Sequence, residues 1–141
     1  MYGKKDGFGS SAWPDGSTYV GHYSKDQIHG QGLYTWSDKR VYDGEWNNNQ
    51  MHGKGKMTYP DGSQYNGQFY ENQRHGHGFM KFMDGSTYDG FWIENKQEGV
   101  GAFTDVKGVK QYGNWVNGKL EKWLSHHEYQ REMKIMIDPC H

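Results

Sequence analysis

Aliphatic residues are scarce in this sequence. Hydrophobic residues of all kinds make up only 33% of its 141 positions, against roughly 45–50% apolar residues in an ordinary globular domain. A thick aliphatic interior is excluded, and the apolar area has to come from Trp, Tyr and Phe, which bury roughly 150–250 Å² each. One cysteine, Cys140, leaves no internal disulfide to staple the fold. No run of about 18 apolar residues is present, so no helix of the sequence could span a bilayer. The opening residues, MYGKKDGFG, lack the apolar segment of a secretory signal; with the lone cysteine, this leads us to expect a chain that works in a reducing cytosol. The formal charge is -1, with acids and bases interspersed. No basic field exists to drive nonspecific nucleic-acid binding.

What the sequence has instead is glycine, aromatics and a repeat. Its 21 glycines and 16% aromatic residues return at a fixed 23-residue interval. A leading Tyr falls at Tyr19, Tyr42, Tyr65 and Tyr88. Two places on stands Gly21, Gly44, Gly67 or Gly90, and two further Tyr23, Trp46, Phe69 or Trp92. A Gly-x-Gly step keeps the same register through Gly7/Gly9, Gly30/Gly32, Gly53/Gly55, Gly76/Gly78 and Gly99/Gly101. A period of this length marks an array in which each unit contacts mainly its neighbours.

Within a unit the periodicity is that of strands. Tyr19, Gly21 and Tyr23 share one face of a period-2 strand, as do Gly30, Gly32, Tyr34 and Trp36. Glycine leaves a gap on such a face, and the rings of neighbouring strands can fill it. Trp13-Pro14-Asp15-Gly16, Pro60-Asp61-Gly62 and Met83-Asp84-Gly85 supply β-turns, whereas the Gly is lost at Ser37-Asp38-Lys39 and the Asp at Val106-Lys107-Gly108. The expectation is an all-β, elongated single-sheet antiparallel β-meander of about five hairpin repeats and ten strands over residues 1–118. Met1–Asp6 forms the tail of a loop, the first repeat is partial and the last degenerate. Lys119 to Ile137 holds no Gly or Pro and predicts a C-terminal α-helix over 119–137 that ends at Asp138-Pro139, followed by a tail at 138–141. Leu120, Trp123 and Leu124 make one helical stripe, expected to pack on the end of the sheet. Tyr129, Met133, Met136 and Ile137 make a second, nearly opposite.

Tyr-x-Gly-x-aromatic followed by His-Gly-x-Gly at this interval resembles the MORN repeat (membrane occupation and recognition nexus), over about Gly7 to Gly118. The resemblance implies a rod of β-hairpins whose groove takes peptides or helices, with self-association through its ends. MORN arrays occur in junctophilins, plant phosphatidylinositol phosphate kinases, a SET-domain methyltransferase, radial-spoke heads and protist scaffolds. The enzymes among them owe their chemistry to other domains, none of which is present in this sequence. Short MORN proteins without such domains are similar to ciliary and cytoskeletal components. The resemblance therefore implies a noncatalytic scaffold or adaptor, without a cofactor, in a ciliary axoneme or another cytoskeletal complex of the cytoplasm.

The candidate partner-binding residues are the repeated aromatics Tyr19, Tyr23, Tyr42, Trp46, Tyr65, Phe69, Tyr88 and Trp92. A core role and a partner role compete for them: a single-layer sheet needs them as its interior, yet has no second layer to cover them, and an open apolar strip marks a contact surface. Gly7, Phe8 and Gly9, with Trp13, form an incomplete first repeat whose edge invites a homodimer or docking onto another β-array. Trp123, Leu124, Tyr129 and Met133 are the expected helix contacts. Anionic phospholipid is the alternative partner, through Lys4/Lys5, Lys39/Arg40, Lys54/Lys56, Arg74 and Lys81, which Asp38, Asp43 and Glu45 dilute. No metal site is expected. His29, His52 and His75 lie two strands apart, roughly 9–10 Å, whereas ligands of one zinc approach to about 4 Å. His75 and His77 form an i, i+2 pair without a third ligand, and His126-His127 point different ways on a helix. Gly-x-Gly lacks the further residues of a phosphate loop, and Ser10, Ser17 and Ser125 have no accompanying His and acid.

Overall fold

A computed structural model describes residues 5–137. Most of the loop tail expected before Asp6, the Asp138-Pro139 helix stop, the tail at 138–141 and the side chains of Met136 and Ile137 lie outside the described residues. Eleven strands and one helix follow one another, among the described residues: β1 Gly7–Ala12, β2 Thr18–Ser24, β3 Gln27–Thr35, β4 Val41–Asn47, β5 Gln50–Thr58, β6 Gln64–Tyr70, β7 Gln73–Lys81, β8 Thr87–Ile93, β9 Lys96–Thr104, β10 Lys110–Val116, β11 Lys119–Leu124 and α1 His126–Ile137. The strands form one open antiparallel sheet in sequence order, β1 to β11. The meander expected from the repeat is present.

Two turn types alternate along it. Two-residue turns join β2 to β3, β4 to β5, β6 to β7 and β8 to β9, with both central residues at positive φ, as in Asn48 (47°) and Asn49 (69°). Such turns match the twist of the flanking strands. Each is tied back to the repeat before it. Asn49 Oδ1 accepts the Ile28 N–H at 2.8 Å, Asn72 Oδ1 the Met51 N–H at 2.9 Å, and Asn95 Oδ1 the Arg74 N–H at 2.9 Å. The Asp-Gly turns are tighter knots. In Tyr59-Pro60-Asp61-Gly62 the Gly62 N–H donates to the Tyr59 carbonyl at 3.0 Å, and the Asp61 carboxylate accepts from both the Ser63 N–H (2.8 Å) and Oγ (2.6 Å). Where the Gly is missing, Lys39 itself takes the left-handed conformation, at φ 83°. Where the Asp is missing, Asp105, two residues earlier, accepts the Lys107 and Val109 N–H groups instead.

The C-terminal expectation needs correcting. Residues 119–137 are not one helix, and the strands number eleven rather than ten, because Asn117 and Gly118 take φ values of 54° and 87° and form one more two-residue turn. Lys119–Leu124 therefore pairs with β10 as β11. Leu120 and Trp123 are strand residues on the aromatic side, where Trp123 meets Trp115 edge-to-face at 6.1 Å. The helix starts only after Ser125. Ser125 Oγ accepts the Glu128 N–H at 3.0 Å and Glu128 Oε1 accepts the Ser125 N–H at 2.9 Å, a reciprocal N-terminal cap. α1 packs against β9, β10 and β11. His126 and Tyr129 both lie on Tyr112, with centroids 5.1 and 4.3 Å away. Tyr112 alternates with Gly113, so the helix covers the face opposite the aromatic one.

Candidate partner-binding groove

The floor of the aromatic face is a continuous zipper of rings. Each leading Tyr stands edge-to-face with the aromatic four residues on and with its counterpart in the next repeat. The series runs Tyr23, Tyr19, Trp46, Tyr42, Phe69, Tyr65, Trp92, Tyr88, Trp115, with every interplanar angle between 79° and 89°. That geometry pairs the electropositive edge of one ring with the electronegative face of the next. Glycine makes room for it. Gly67 and Gly78 face each other across β6 and β7, and a Cβ on Gly78 would collide with the Tyr65 ring lying over it. The first glycine of the Gly-x-Gly has another task in β3, β5, β7 and β9, adopting positive φ at the register shift between strands, as Gly53 does at 84°.

Burial settles where the eight predicted aromatics lie. Tyr19, Tyr42, Tyr65 and Tyr88 have no exposed surface, and Tyr23, Trp46, Phe69 and Trp92 expose 4–7%. They are interior. The core role accounts for them, and the expectation that their rings stand open to a partner is corrected. Each leading Tyr folds over its own strand's glycine and donates its hydroxyl to the carbonyl three residues on, as Tyr65 does to Gln68 at 2.8 Å. Burial pushes the Tyr19 phenol up to about 12 and the Tyr42, Tyr65 and Tyr88 phenols higher still.

The rings that remain partly open form a second row, which the sequence reading left out of its candidates except for Trp13. Trp13, Trp36, Tyr59 and Phe82 stand at the start of successive Asp-Gly turns, one repeat apart, and Asp105 ends the row. Tyr34, Trp36, Tyr59, Phe82 and Phe103 are half-buried against the zipper. The available signal was their own 23-residue register beside the turn motif. Two recesses open along this row. One, of about 500 Å³, is lined by Trp13, Tyr34, Trp36, Arg40, Trp46 and Met51 among others. Trp13 stacks on Tyr34 at 5.5 Å, and the Arg40 guanidinium lies 4.8 Å from the Trp36 centroid. The other, of about 460 Å³, is lined by Tyr59, Pro60, Asp61, Ser63, Arg74, Met80 and Phe82.

The remaining predicted residues lie elsewhere. Gly7, Phe8 and Gly9 belong to β1, the first strand of the sheet order, and Phe8 is 71% exposed, edge-on to His22 at 5.6 Å. Of the expected helix contacts, Tyr129 and Met133 are half-buried on α1, whereas Trp123 and Leu124 belong to β11. The face that carries α1 is polar over most of its length. His77 Nε2 lies 2.7 Å from Asp89 Oδ1, and His52 and His75 flank Tyr70 at 5.3 and 5.6 Å. His29 Nδ1 accepts the Asn48 N–H at 3.3 Å. Among the described residues no group of three His, Cys, Asp or Glu could hold a metal ion, and no helix is long and apolar enough to cross a membrane.

A comparison with protein families matches the MORN repeat to five consecutive segments, residues 1–18, 19–39, 42–64, 65–87 and 88–110. Four of the five begin at a leading Tyr. No curated protein matches the chain.

Proposed function

This chain belongs to the MORN-repeat family, whose repeats are generally protein- or membrane-binding, noncatalytic modules, and from that premise we propose that it is a noncatalytic scaffold that seats a segment of a partner protein, peptide or helix, in the groove along Trp13, Trp36, Tyr59 and Phe82. The observation that carries the proposal is the half-buried row itself. Large rings stand at the rim of a buried zipper in repeat after repeat, with two recesses between them. Contiguous exposed apolar strips with polar rims mark contact surfaces, and Trp and Tyr dominate binding hot spots. A ciliary axonemal or other cytoskeletal complex of the cytoplasm is the setting we propose, by analogy with short MORN proteins. The proposal includes association of the β1 edge with a second β-array, which sedimentation of the chain against a Phe8→Lys variant would read as loss of the larger species.

The test of the groove is affinity capture of the tagged chain from its native cells beside the triple variant Tyr34→Ala, Tyr59→Ala, Phe82→Ala, with folding followed by circular dichroism. A defined set of structural proteins retained by the parent and lost from the folded variant is the expected result. Equal retention by both contradicts the groove. Sedimentation of the parent with anionic vesicles, and no protein retained, would put a peripheral membrane module in its place.

A further inference from the structure

Arg74 departs from the two repeats before it. The equivalent position holds Ile28 and Met51 two units and one unit before it and Gln97 one unit after, and Ile28 and Met51 are buried apolar residues of the groove floor; in the partial first repeat it holds Lys5, whose ammonium lies 5.1 Å from the Tyr23 centroid and donates to Ser11 Oγ at 2.9 Å. At this one slot a guanidinium takes the place of an aliphatic chain. It lies 4.8 Å from the Trp92 centroid and 6.0 Å from that of Tyr65. Nη1 donates to the Tyr59 hydroxyl at 3.2 Å and Nη2 to the Asn95 carbonyl at 2.9 Å, both neutral acceptors. Nε is buried without a partner. Among the described residues Arg74 forms no ion pair, although cations under apolar cover ordinarily pair with a carboxylate. Asp61, the one acid lining the same recess, is engaged by the Ser63 N–H and Oγ at 2.8 and 2.6 Å.

The same groove holds an internal comparison. Arg40 also lies over an indole, 4.8 Å from the Trp36 centroid, but its charge is answered by Asp38 at 2.8 Å. The cation of the first recess is therefore paired by Asp38, outside its lining, whereas Arg74 has no ion pair among the described residues although Asp61 lines the same recess and binds Ser63 through Oδ1.

We propose that Arg74 is the specificity-determining contact of the groove and receives an Asp or Glu side chain of the partner segment in the recess between Tyr59 and Phe82. The inference rests on the groove reading above and names the partner's chemistry. Nη1 and Nη2 each have one more N–H than their present acceptors use. A carboxylate entering between the two rings accepts from them, and such charge-assisted bonds are roughly twice as strong as neutral ones.

The probe is a display library of random peptides, selected in parallel on the full chain, on Arg74→Met, which restores the Met51 pattern, and on Arg74→Gln, which restores that of Gln97. Thermal melts establish that each variant folds. Peptides taken by the parent should be rich in Asp or Glu beside apolar residues, and that enrichment should vanish on both variants. A synthetic peptide from the selected set should bind the parent about tenfold or more tightly than Arg74→Met. Changing its acid to the amide should remove the same factor on the parent and nothing on the variant. Peptides selected without acid preference, yet lost on the Tyr34→Ala/Tyr59→Ala chain, would overturn the role of Arg74 and leave the groove intact. Failure to select any peptide, or peptides indifferent to the Tyr34→Ala/Tyr59→Ala change, would remove the groove and Arg74 together. Binding to phosphatidylserine vesicles that depends on Arg74, with no peptide selected, would assign the counter-charge to a lipid headgroup and overturn the proposal.

Discussion

Tyr65 gives its hydroxyl to the Gln68 carbonyl, lays its ring over Gly78 and meets Phe69 and Trp92 edge-to-face, so three neighbouring strands depend on one side chain. Gly78→Ala forces a Cβ against that ring and should destabilise the chain by about 1–3 kcal/mol, as overpacking does, in chemical denaturation. Tyr65→Phe keeps the ring but leaves the Gln68 carbonyl one donor short, and should cost about 1 kcal/mol. The buried phenols also set an alkaline limit. Their pKa is raised in the folded chain above the ordinary 10.0, so the folded state holds its protons longer than the unfolded one. Their contribution is intact below pH 10 and is lost as pH rises through 12 and beyond. The tyrosinate absorbance of these four residues, isolated by difference against single Tyr→Phe variants, and loss of sheet circular dichroism should therefore appear together above that limit, whereas ionisation of Tyr19, Tyr42, Tyr65 or Tyr88 near pH 10 in a folded chain would contradict their burial. Period-2 alternation placed Tyr and Gly on one face from sequence alone. It could not distinguish an open ring from one folded flat over its own strand's glycine, because that depends on the cross-strand glycine opposite.

At the scale of the element, each repeat holds the one before it through its two-residue turn. Asn72→Ala removes the acceptor of the part-buried Met51 N–H and should cost about 1–2 kcal/mol, read as a shift in the denaturation midpoint. The 23-residue register made the hairpins legible, since turn residues, glycines and rings all agree with it. The C-terminus was harder. Lys119–Leu124 contains no glycine and carries a helix-spaced trio, yet Asn117-Gly118 fits the same turn that ends β2, β4, β6 and β8. That turn decides the matter, because a strand entering it returns along its neighbour. The true helix start was written in Ser125-His126-His127-Glu128, whose cap is reciprocal in the structure.

Taken whole, the sheet has two unlike faces. One is sealed by its own zipper with a half-open aromatic row along the rim, and the other is polar and carries α1 at its C-terminal strands. The floor of the groove was readable from the repeat, whereas the rim was not. Trp13, Trp36, Tyr59 and Phe82 share a register but differ in type, and their exposure follows from where the turns leave the sheet. Arg74 was visible only as a surface cation until the Ile28 and Met51 slots showed where it lies. The most direct test of the groove is photo-cross-linking in native cells from a probe placed at Tyr59, on the aromatic rim, or at Phe79, on the opposite face. The account predicts a discrete cross-linked protein from position 59 and none from position 79. Cross-links from position 79 alone would place the partner on the other face and contradict it.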